Sequence, residues 1–379
     1  MKKKYLVISV LVIGTGIIGG FVQSMHSFDP ITSCEPVAGA RPLCGWQNPE
    51  DMVALPDGQH VIVSEFGDQT GVKKGQLSLL NLETESKRVL YSGGAEGGGS
   101  EGGSFEESQA WGTANCQAPA ENEFSPHGIH LSQRADGTIQ LLVVQHSGRE
   151  SVEMFEVGPS PNGWDLAWRG CVIAPKGSML NDVVATPEGG FLVTHMMTQR
   201  SNMLGQFFEY MRSSVFGVES GYVLAWQPRE GFSQLQSSQG QVANGIEIAA
   251  DGETIFVNYS GSGEVRRINR HRDEVEASNT SLPPLDNSSW TLDGHLLVAG
   301  ARASALEIMP CTNLESGSCP AAFAIFSIDP QTLESSVVYE SDANTPIGAG
   351  TVGLRVADGS LLIGSFVGDL IVRITPQNR

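Results

Sequence analysis

A polar residue recurs at nearly the same distance before each of six tight turns in the sequence. The set comprises Glu50, His127, Asn181, Asn244, Asp286 with Asn287, and Thr351. Ca²⁺ binds about six to eight oxygen ligands, and carboxylate and amide oxygens are among them. Zn²⁺ prefers nitrogen and sulfur ligands, and Mg²⁺ binds fewer protein ligands. If these residues meet in space, they predict a calcium site whose ligands are Glu50, Asn181, Asn244, Asp286 and Asn287.

Two further acidic residues directly follow members of this set. Asp51 comes after Glu50, and Asp182 comes after Asn181. Neighbouring strand residues point to opposite faces, so this pair predicts a second, deeper cation. The alternative is ordinary for such residues: an Asp or Asn near a turn often hydrogen-bonds the backbone of its own loop.

The six turns indicate the elements that must position these residues. Each is an Asp-Gly or Glu-Gly pair followed by an apolar run, which is the strongest short-range signal of a β-hairpin. The turns are Asp57-Gly58, Asp136-Gly137, Glu188-Gly189, Asp251-Gly252, Asp293-Gly294 and Asp358-Gly359. Their mean spacing of about 60 residues favours a six-bladed all-β propeller over residues 46–379, with a β-sandwich as the alternative. Equivalent positions in six blades converge on one axis, which would bring the polar set together.

Composition and the N-terminus bear on partners and location. The chain has 379 residues with a net charge of -19, which argues against nucleic acid and anionic membranes as partners. Lys2, Lys3 and Lys4 precede an uncharged run over residues 5–22, so residues 1–24 are predicted to be a signal peptide or a signal anchor. The remainder would be periplasmic or extracellular, or tethered to the membrane through residues 5–22. Residues 25–45 are then an N-terminal extension.

The cysteines fit an exported protein. Six of them permit 15 connectivities, and sequence alone does not choose between these. The pairs Cys34 with Cys44 and Cys311 with Cys319 would close short loops, which would leave Cys116 with Cys171. The cysteines do not indicate a metal site of their own, because no C-x-x-C motif is present.

Two segments interrupt the repeat. Residues 93–122 are rich in Gly, Ser and Glu and predict a long flexible loop. Residues 201–216 predict a short capping helix whose apolar face carries Met203, Leu204, Phe207, Phe208, Met211 and Val215. This face either packs over the end of the barrel or lines an apolar substrate pocket as a lid.

Several blocks of the chain resemble the paraoxonase/arylesterase family of six-bladed, two-calcium propellers, and more distantly the gluconolactonases. They include NPEDMVALPDG (48–58), SPHGIHL (125–131), MLNDVVATPEG (179–189), VANGIEIAADG (242–252) and LDNSSWTLDGHLLVAG (285–300). The resemblance implies that Glu50, Asn181, Asn244, Asp286 and Asn287 bind a catalytic calcium. It implies that Asp51, Asp182 and the carbonyl of Ile129 bind a structural one, and that His127 and His146 form the family's histidine pair.

The expected activity is calcium-dependent hydrolysis of lactones or aryl esters. His127 would take a proton from water, and His146 would orient it or relay the proton, although either could be an ordinary buried histidine. His130, His195 and His295 are expected to be surface or structural residues. A serine nucleophile is disfavoured, because the Gly-x-Ser-x-Gly match at 98–102 lies in the predicted flexible loop.

Departures from the family leave the small-molecule substrate open. Met196 and Met197 stand where vertebrate members carry Asp-His, and Gly67-Asp68-Gln69 stands where they carry Lys-Tyr. Together with the predicted helix, the methionines suggest an apolar pocket suited to alkyl or acyl lactones. The alternatives are a non-catalytic, calcium-stabilised binding protein and a gluconolactonase-like sugar lactonase.

Overall fold

Six sheets, antiparallel except for one short parallel edge strand, form a six-bladed β-propeller, as the turn spacing predicts. The computed structural model describes residues 28–37, 39–67, 73–94, 111–114, 116–272, 274–279, 281–314, 316–342 and 344–376. The predicted signal segment 1–24, the Gly-x-Ser-x-Gly match, and residues 95–110 and 115 of the predicted loop 93–122 therefore lie outside the described residues. So do Asp68 and Gln69.

The strands follow one another blade by blade. β1 (Ala40–Cys44) comes first and belongs to the last sheet. Blade 1 contains β2 (Pro49–Ala54), β3 (His60–Glu65), β4 (Gln76–Asn81) and β5 (Lys87–Tyr91). Blade 2 contains β6 (Trp111–Gly112), β7 (Pro126–Gln133), β8 (Ile139–Gln145), β9 (Ser151–Ser160) and β10 (Gly163–Ile173), with β6 parallel to β10. Blade 3 contains β11 (Leu180–Ala185), β12 (Phe191–His195), β13 (Gly221–Gln227) and β14 (Gly231–Gly240).

The second half of the ring repeats this order. Blade 4 contains β15 (Ala243–Ile248), β16 (Thr254–Tyr259), β17 (Glu264–Asn269) and β18 (Glu274–Ala277). Blade 5 contains β19 (Leu285–Trp290), β20 (Leu296–Ala301), β21 (Phe323–Ile328) and β22 (Ser335–Glu340). Blade 6 contains β23 (Gly350–Arg355), β24 (Leu361–Ser365) and β25 (Leu370–Ile374), and β1 is its outer strand.

Each predicted Asp-Gly or Glu-Gly turn joins the first strand of a blade to the second. All six turn glycines have positive φ, between 66° and 90°. In blade 1 the Asp57 carboxylate accepts hydrogen bonds from the backbone N–H groups of Gln59, at 2.9 Å, and His60, at 3.1 Å. The hairpin prediction is therefore confirmed, and the turn residues have the local chemistry that such turns need.

The ring closes through a strand from the N-terminal extension. β1 pairs antiparallel with β25, from Ala40 opposite Ile374 to Cys44 opposite Leu370. Residues 25–45, predicted as an extension, thus supply the fourth strand of the last blade. The core is six apolar clusters, each lying between two adjacent blades. Closing the ring buries the last of these interfaces.

The predicted helix forms, but Leu204, Phe208 and Val215 of its predicted apolar face are exposed, while Phe207 and Met211 are half-buried. Helix α1 (Met203–Ser214) exposes 65% of Leu204 and 62% of Phe208, whereas Glu209 is 4% exposed. The buried Glu209 carboxylate pairs with Arg200 and with Arg212. Hydrophobic periodicity therefore predicts the burial of Leu204, Phe208 and Glu209 wrongly. A four-residue helix α2 (Ala305–Ile308) runs into a 3₁₀ turn (Met309–Asn313).

Across the described residues, no helix combines the length and the apolar character needed to cross a membrane.

The six cysteines form three disulfides, and the pairing agrees with the one predicted from the two short loops. They join Cys34 to Cys44, Cys116 to Cys171, and Cys311 to Cys319. The middle bridge closes the longest loop, with a sequence separation of 55, against 8 for the last.

We expect these two bridges to differ in their effect on stability. Loop-closure entropy gives about 4 kcal/mol for the Cys116–Cys171 bridge and about 2.5 kcal/mol for the Cys311–Cys319 bridge. The double variants Cys116→Ala/Cys171→Ala and Cys311→Ala/Cys319→Ala, compared by urea unfolding, measure the difference. Equal losses from the two variants would contradict the chain-entropy argument.

Candidate functional site

The polar set lies where the innermost strand of every blade carries a bulge. The pairing register shifts between Pro49 and Asp51, Pro126 and Ile129, Leu180 and Val183, Ala243 and Ile246, Leu285 and Ser288, and Gly350 and Val352. Every member of the set falls within one of these shifts. A bulge removes residues from the ladder and redirects their side chains. The polar residues lie at a nearly constant sequence distance from the turns because each bulge lies at that distance from its hairpin turn.

Backbone conformation and close packing shape these bulges further. Asn48, Val242 and Ala349 each lie two residues before a member of the set and have φ of 44°, 58° and 49°. Such values are uncommon outside glycine and mark a sharp local bend. Gly128 and Gly245 lie inside bulges, and a Cβ at either would come within 2.6 Å of the next blade's backbone. Adjacent inner strands therefore approach closely where the polar residues converge.

Glu50 is at the centre of the converged set. Its Oε1 accepts a hydrogen bond from Asn287 Nδ2 at 2.6 Å and lies 3.7 Å from His127 Nε2. Its backbone carbonyl accepts from Thr351 Oγ1 at 2.8 Å. On the far side, the Asn244 side chain donates to Asp286 and, at 3.1 Å, to Ser260 Oγ. Residues from five blades therefore connect around the axis.

Four of the five predicted calcium ligands carry a buried oxygen with no hydrogen-bond partner. These atoms are Glu50 Oε2, Asn181 Oδ1, Asn244 Oδ1 and Asn287 Oδ1. Leaving a buried polar atom unpaired costs about 1–3 kcal/mol, so four together require an explanation. Hard-cation ligation supplies it, because Ca²⁺ binds oxygen donors of these kinds. The residues present therefore fit a calcium ion.

Carboxylate ligands alone would not suffice. In the described part of the chain, no three His, Cys, Asp or Glu side chains are grouped so that they could hold a metal ion. Amide oxygens must provide part of any ligand set, in agreement with the three asparagines at the site.

The carboxylates of the site are short of positive partners. Burial raises the pKa of Asp51 and of Asp286 to about 7. Burial followed by repulsion from neighbouring acids raises the pKa of Glu50 and of Asp182 well above the usual range. No described lysine or arginine pairs with any of the four. A cation among them would favour their charged forms.

The second predicted pair, Asp51 and Asp182, links adjacent blades through backbone hydrogen bonds. Asp51 accepts from the N–H of Ile129 at 2.7 Å, and Asp182 accepts from the N–H of Ile246 at 2.8 Å. These bonds reach the next blade, and each acid also accepts from the backbone N–H of the residue after it, as the backbone alternative expects. A third acid, Glu247, is close enough for the Asp51 charge to contribute to its raised pKa of about 8, after the larger effect of burial.

The two predicted histidines lie side by side. Their ring centroids are 5.0 Å apart, and Phe66 packs edge-on against both rings. The Nδ1–H of His127 donates to the Asn181 carbonyl at 2.9 Å, which leaves Nε2 as the acceptor facing Glu50. Burial, followed by the proximity of His146, lowers the pKa of His127 to about 3. His127 is therefore neutral at pH 7.

Three residues near the site were not predicted. Phe66 encloses the histidine pair, Glu150 contacts His146 Nδ1 at 2.9 Å, and Asn258 donates to the Asp286 carbonyl at 2.6 Å. Glu150 carries a signal that could have been used, since it lies four residues after His146 across a short turn. Phe66 and Asn258 carry none, because their roles arise from contacts between strands.

Within the described residues, His195, His295 and the methionine pair form no hydrogen bond with the converged set, although His195 lies opposite Leu180 in the strand pairing. His195 is buried and stacks on Tyr222 with centroids 4.4 Å apart, whereas the His295 side chain is 42% exposed. Met197 is buried in a small cluster with Met179 and Val242. A cavity of about 640 Å³ lies between blades 5 and 6 beside Val337 and Arg355, and none of the predicted site residues lines it.

Comparisons with known proteins agree with this architecture. Residues 49–370 match the family model described as Arylesterase. Human serum paraoxonase/lactonase 3 is 26% identical over 250 residues, which are 64% of this chain and 66% of that protein, just under two thirds of its length. A luciferin-regenerating enzyme, 12% identical, superposes with a TM-score of 0.51 over 89% of this chain and 94% of its own, and this likeness shows the fold alone. Because the family model spans most of the propeller, the chain belongs to the arylesterase family.

Proposed function

We propose that the chain is a calcium-dependent hydrolase of lactones or aryl esters. The observation that carries the proposal is the group of four buried, unpartnered oxygens beside a neutral histidine. Membership of the arylesterase family and the likeness to a serum paraoxonase/lactonase support this choice of reaction. The exposed apolar face of α1 gives no support to a lid over an apolar pocket, so the acyl portion of the substrate is left open.

Glu50, Asn181, Asn244, Asp286 and Asn287 would hold the catalytic calcium. When bound, calcium supplies positive charge that polarises an ester carbonyl and stabilises negative charge on its oxygen. Asp51 and Asp182, with the carbonyl of Ile129, would hold a second, structural ion. We include this second ion on the strength of the family resemblance, because the backbone bonds of both acids also have a purely structural explanation.

His127 is suited to accept a proton from water. Its Nδ1–H is held by the Asn181 carbonyl, so the lone pair lies on Nε2. The low pKa keeps the ring neutral at pH 7, so Nε2 is unprotonated when water approaches. Water gives one proton to this nitrogen while its oxygen bonds to the carbonyl carbon. The same proton then passes to the leaving alkoxide oxygen as the ester bond breaks. Phe66 covers both histidine rings and limits access of other water.

We further propose that the protein acts outside the cytoplasm. Three disulfides are typical of an oxidising compartment. Residues 1–24 would direct export and either be removed or retained as a tether.

Removing calcium should abolish hydrolysis and destabilise the fold. Full-length protein is assayed on γ- and δ-lactones of varied acyl chain and on aryl esters, before and after complete chelation. Re-addition of Ca²⁺ should restore activity, and saturation at about 100 times Kd should add about 2.7 kcal/mol to the free energy of unfolding. Hydrolysis that survives complete metal removal would contradict the mechanism. Restored stability with no hydrolysis of any substrate would favour the non-catalytic alternative.

The His127→Gln variant should lose turnover while retaining calcium. Glutamine cannot accept and return the proton, so kcat should fall by about 100-fold or more. Calcium affinity, measured by titration calorimetry, should change little because His127 is not among the proposed ligands. His295→Gln, at an exposed position, serves as the matched control. Wild-type turnover in the His127→Gln variant would exclude His127 as the base.

A further inference from the structure

The short turn between β8 and β9 brings a carboxylate onto His146. Glu150 Oε1 lies 2.9 Å from His146 Nδ1. Both side chains are enclosed, with 9% of Glu150 and 1% of His146 exposed. An ionised carboxylate can only accept, so this contact places the imidazole hydrogen on Nδ1. His146 Nε2 is then the free acceptor, and it is buried with no partner.

Glu150 is itself held in place from blade 3. Its Oε2 accepts from the backbone N–H of Leu180 at 3.0 Å, and Gln199 Nε2 approaches Oε1 at 3.3 Å. Leu180 precedes the predicted ligand Asn181 in β11. The carboxylate thus has a fixed position between the histidine of blade 2 and the ligand strand of blade 3.

In the part of the chain that the structure describes, His146 is the only ion-pair partner of Glu150, and this partner is cationic when the His146 ring is protonated. Arg149, next to Glu150 in the chain, instead pairs with Glu153 at 2.8 Å. His195 feels the Glu150 charge, but burial lowers its pKa to about 4 and it is neutral at pH 7. Among the described residues, the negative charge of Glu150 is therefore directed at His146.

The two histidines differ in what their Nδ1–H contacts. His127 donates to a neutral backbone carbonyl, whereas His146 donates to a carboxylate. A carboxylate at this position fixes the tautomer and stabilises the imidazolium that forms when Nε2 gains a proton. A neutral carbonyl fixes the tautomer but stabilises the charge much less.

We propose that Glu150 is the positioning residue of the histidine pair: it fixes His146 as the Nδ1–H tautomer and stabilises the positive charge that His146 acquires when the proton taken from water passes to it from His127. His127 becomes neutral again as His146 Nε2 binds the proton, and the proton returns by the same route to the leaving alkoxide. The inference rests on the proposed hydrolytic function. It adds a residue that the family resemblance does not assign.

The test combines a spectroscopic and a kinetic measurement on the calcium-saturated full chain. Long-range ¹H–¹⁵N correlation of ¹⁵N-histidine-labelled protein should show His146 as the Nδ1–H tautomer, with the signal assigned by its loss in His146→Asn. In Glu150→Gln the tautomer signature should shift, because an amide can present either a donor or an acceptor. Its kcat should fall by about 10- to 100-fold, the range for residues that orient a site through another ligand, while KM stays within twofold.

Two controls separate this role from a structural one. Glu156→Gln, which removes the partner of Arg169 in the same blade, should leave kcat and the His146 signal unchanged. Calcium affinity of Glu150→Gln should stay within threefold, which would show that Asn181 has not moved. If Glu150→Gln does not fold, the tautomer of wild-type His146 still decides the first half of the inference.

The outcomes are distinguishable. An Nε2–H tautomer in the wild type, or a Glu150→Gln variant with wild-type kcat, would overturn the role of Glu150 and leave the hydrolase proposal intact. A wild-type protein that hydrolyses none of the substrates would overturn the proposed function, and with it the kinetic half of this inference.

Discussion

Negative charge collected on the propeller axis is the constraint on which the rest of the structure depends. Glu50, Asp51, Asp182 and Asp286 are buried and near enough for their charges to repel one another, and their described partners are amides, backbone N–H groups and one neutral histidine. Burial opposes ionisation of all four, and mutual repulsion adds to it for three. Such an arrangement is stable when a cation is present or when the acids are protonated. The unpartnered amide oxygens around them favour the cation.

The need to direct polar side chains at the axis accounts for the bulges and the positive φ values of the inner strands. Every inner strand gives up regular pairing at its bulge, and three of them begin after a non-glycine residue with positive φ. Regular strands would alternate their side chains and could not aim consecutive polar residues at the axis. The resulting strain is sustained by six apolar clusters between blades and by closure of the ring through β1 and β25. Stability is thus supplied at the periphery, and polar function is concentrated at the centre.

The histidine pair adjoins the polar set on the axis through His127. His127 contacts Glu50 on one side and the carbonyl of Asn181 on the other, so its orientation depends on two of the proposed ligands. His146 stands one step further away and is bonded to Glu150. The proposed base and the proposed metal ligands therefore share part of their support, whereas Glu150 lies outside the ligand set.

Much of the architecture follows from the sequence alone. Six Asp-Gly or Glu-Gly turns, each followed by an apolar run, determine the hairpins, because turn chemistry is local. The constant offset of the polar residues predicts that they occupy equivalent positions in the inner strands, and each of them lies within a bulge of such a strand. What only the tertiary structure decided depends on contacts between elements that are apart in the sequence: the closure of the ring by β1 and β25, the packing of Phe66 on the histidine pair, and the hydrogen bond from Asn258 to the Asp286 carbonyl. Periodicity is blind to such contacts, because ion pairs and buried hydrogen bonds form only when separate elements meet in space.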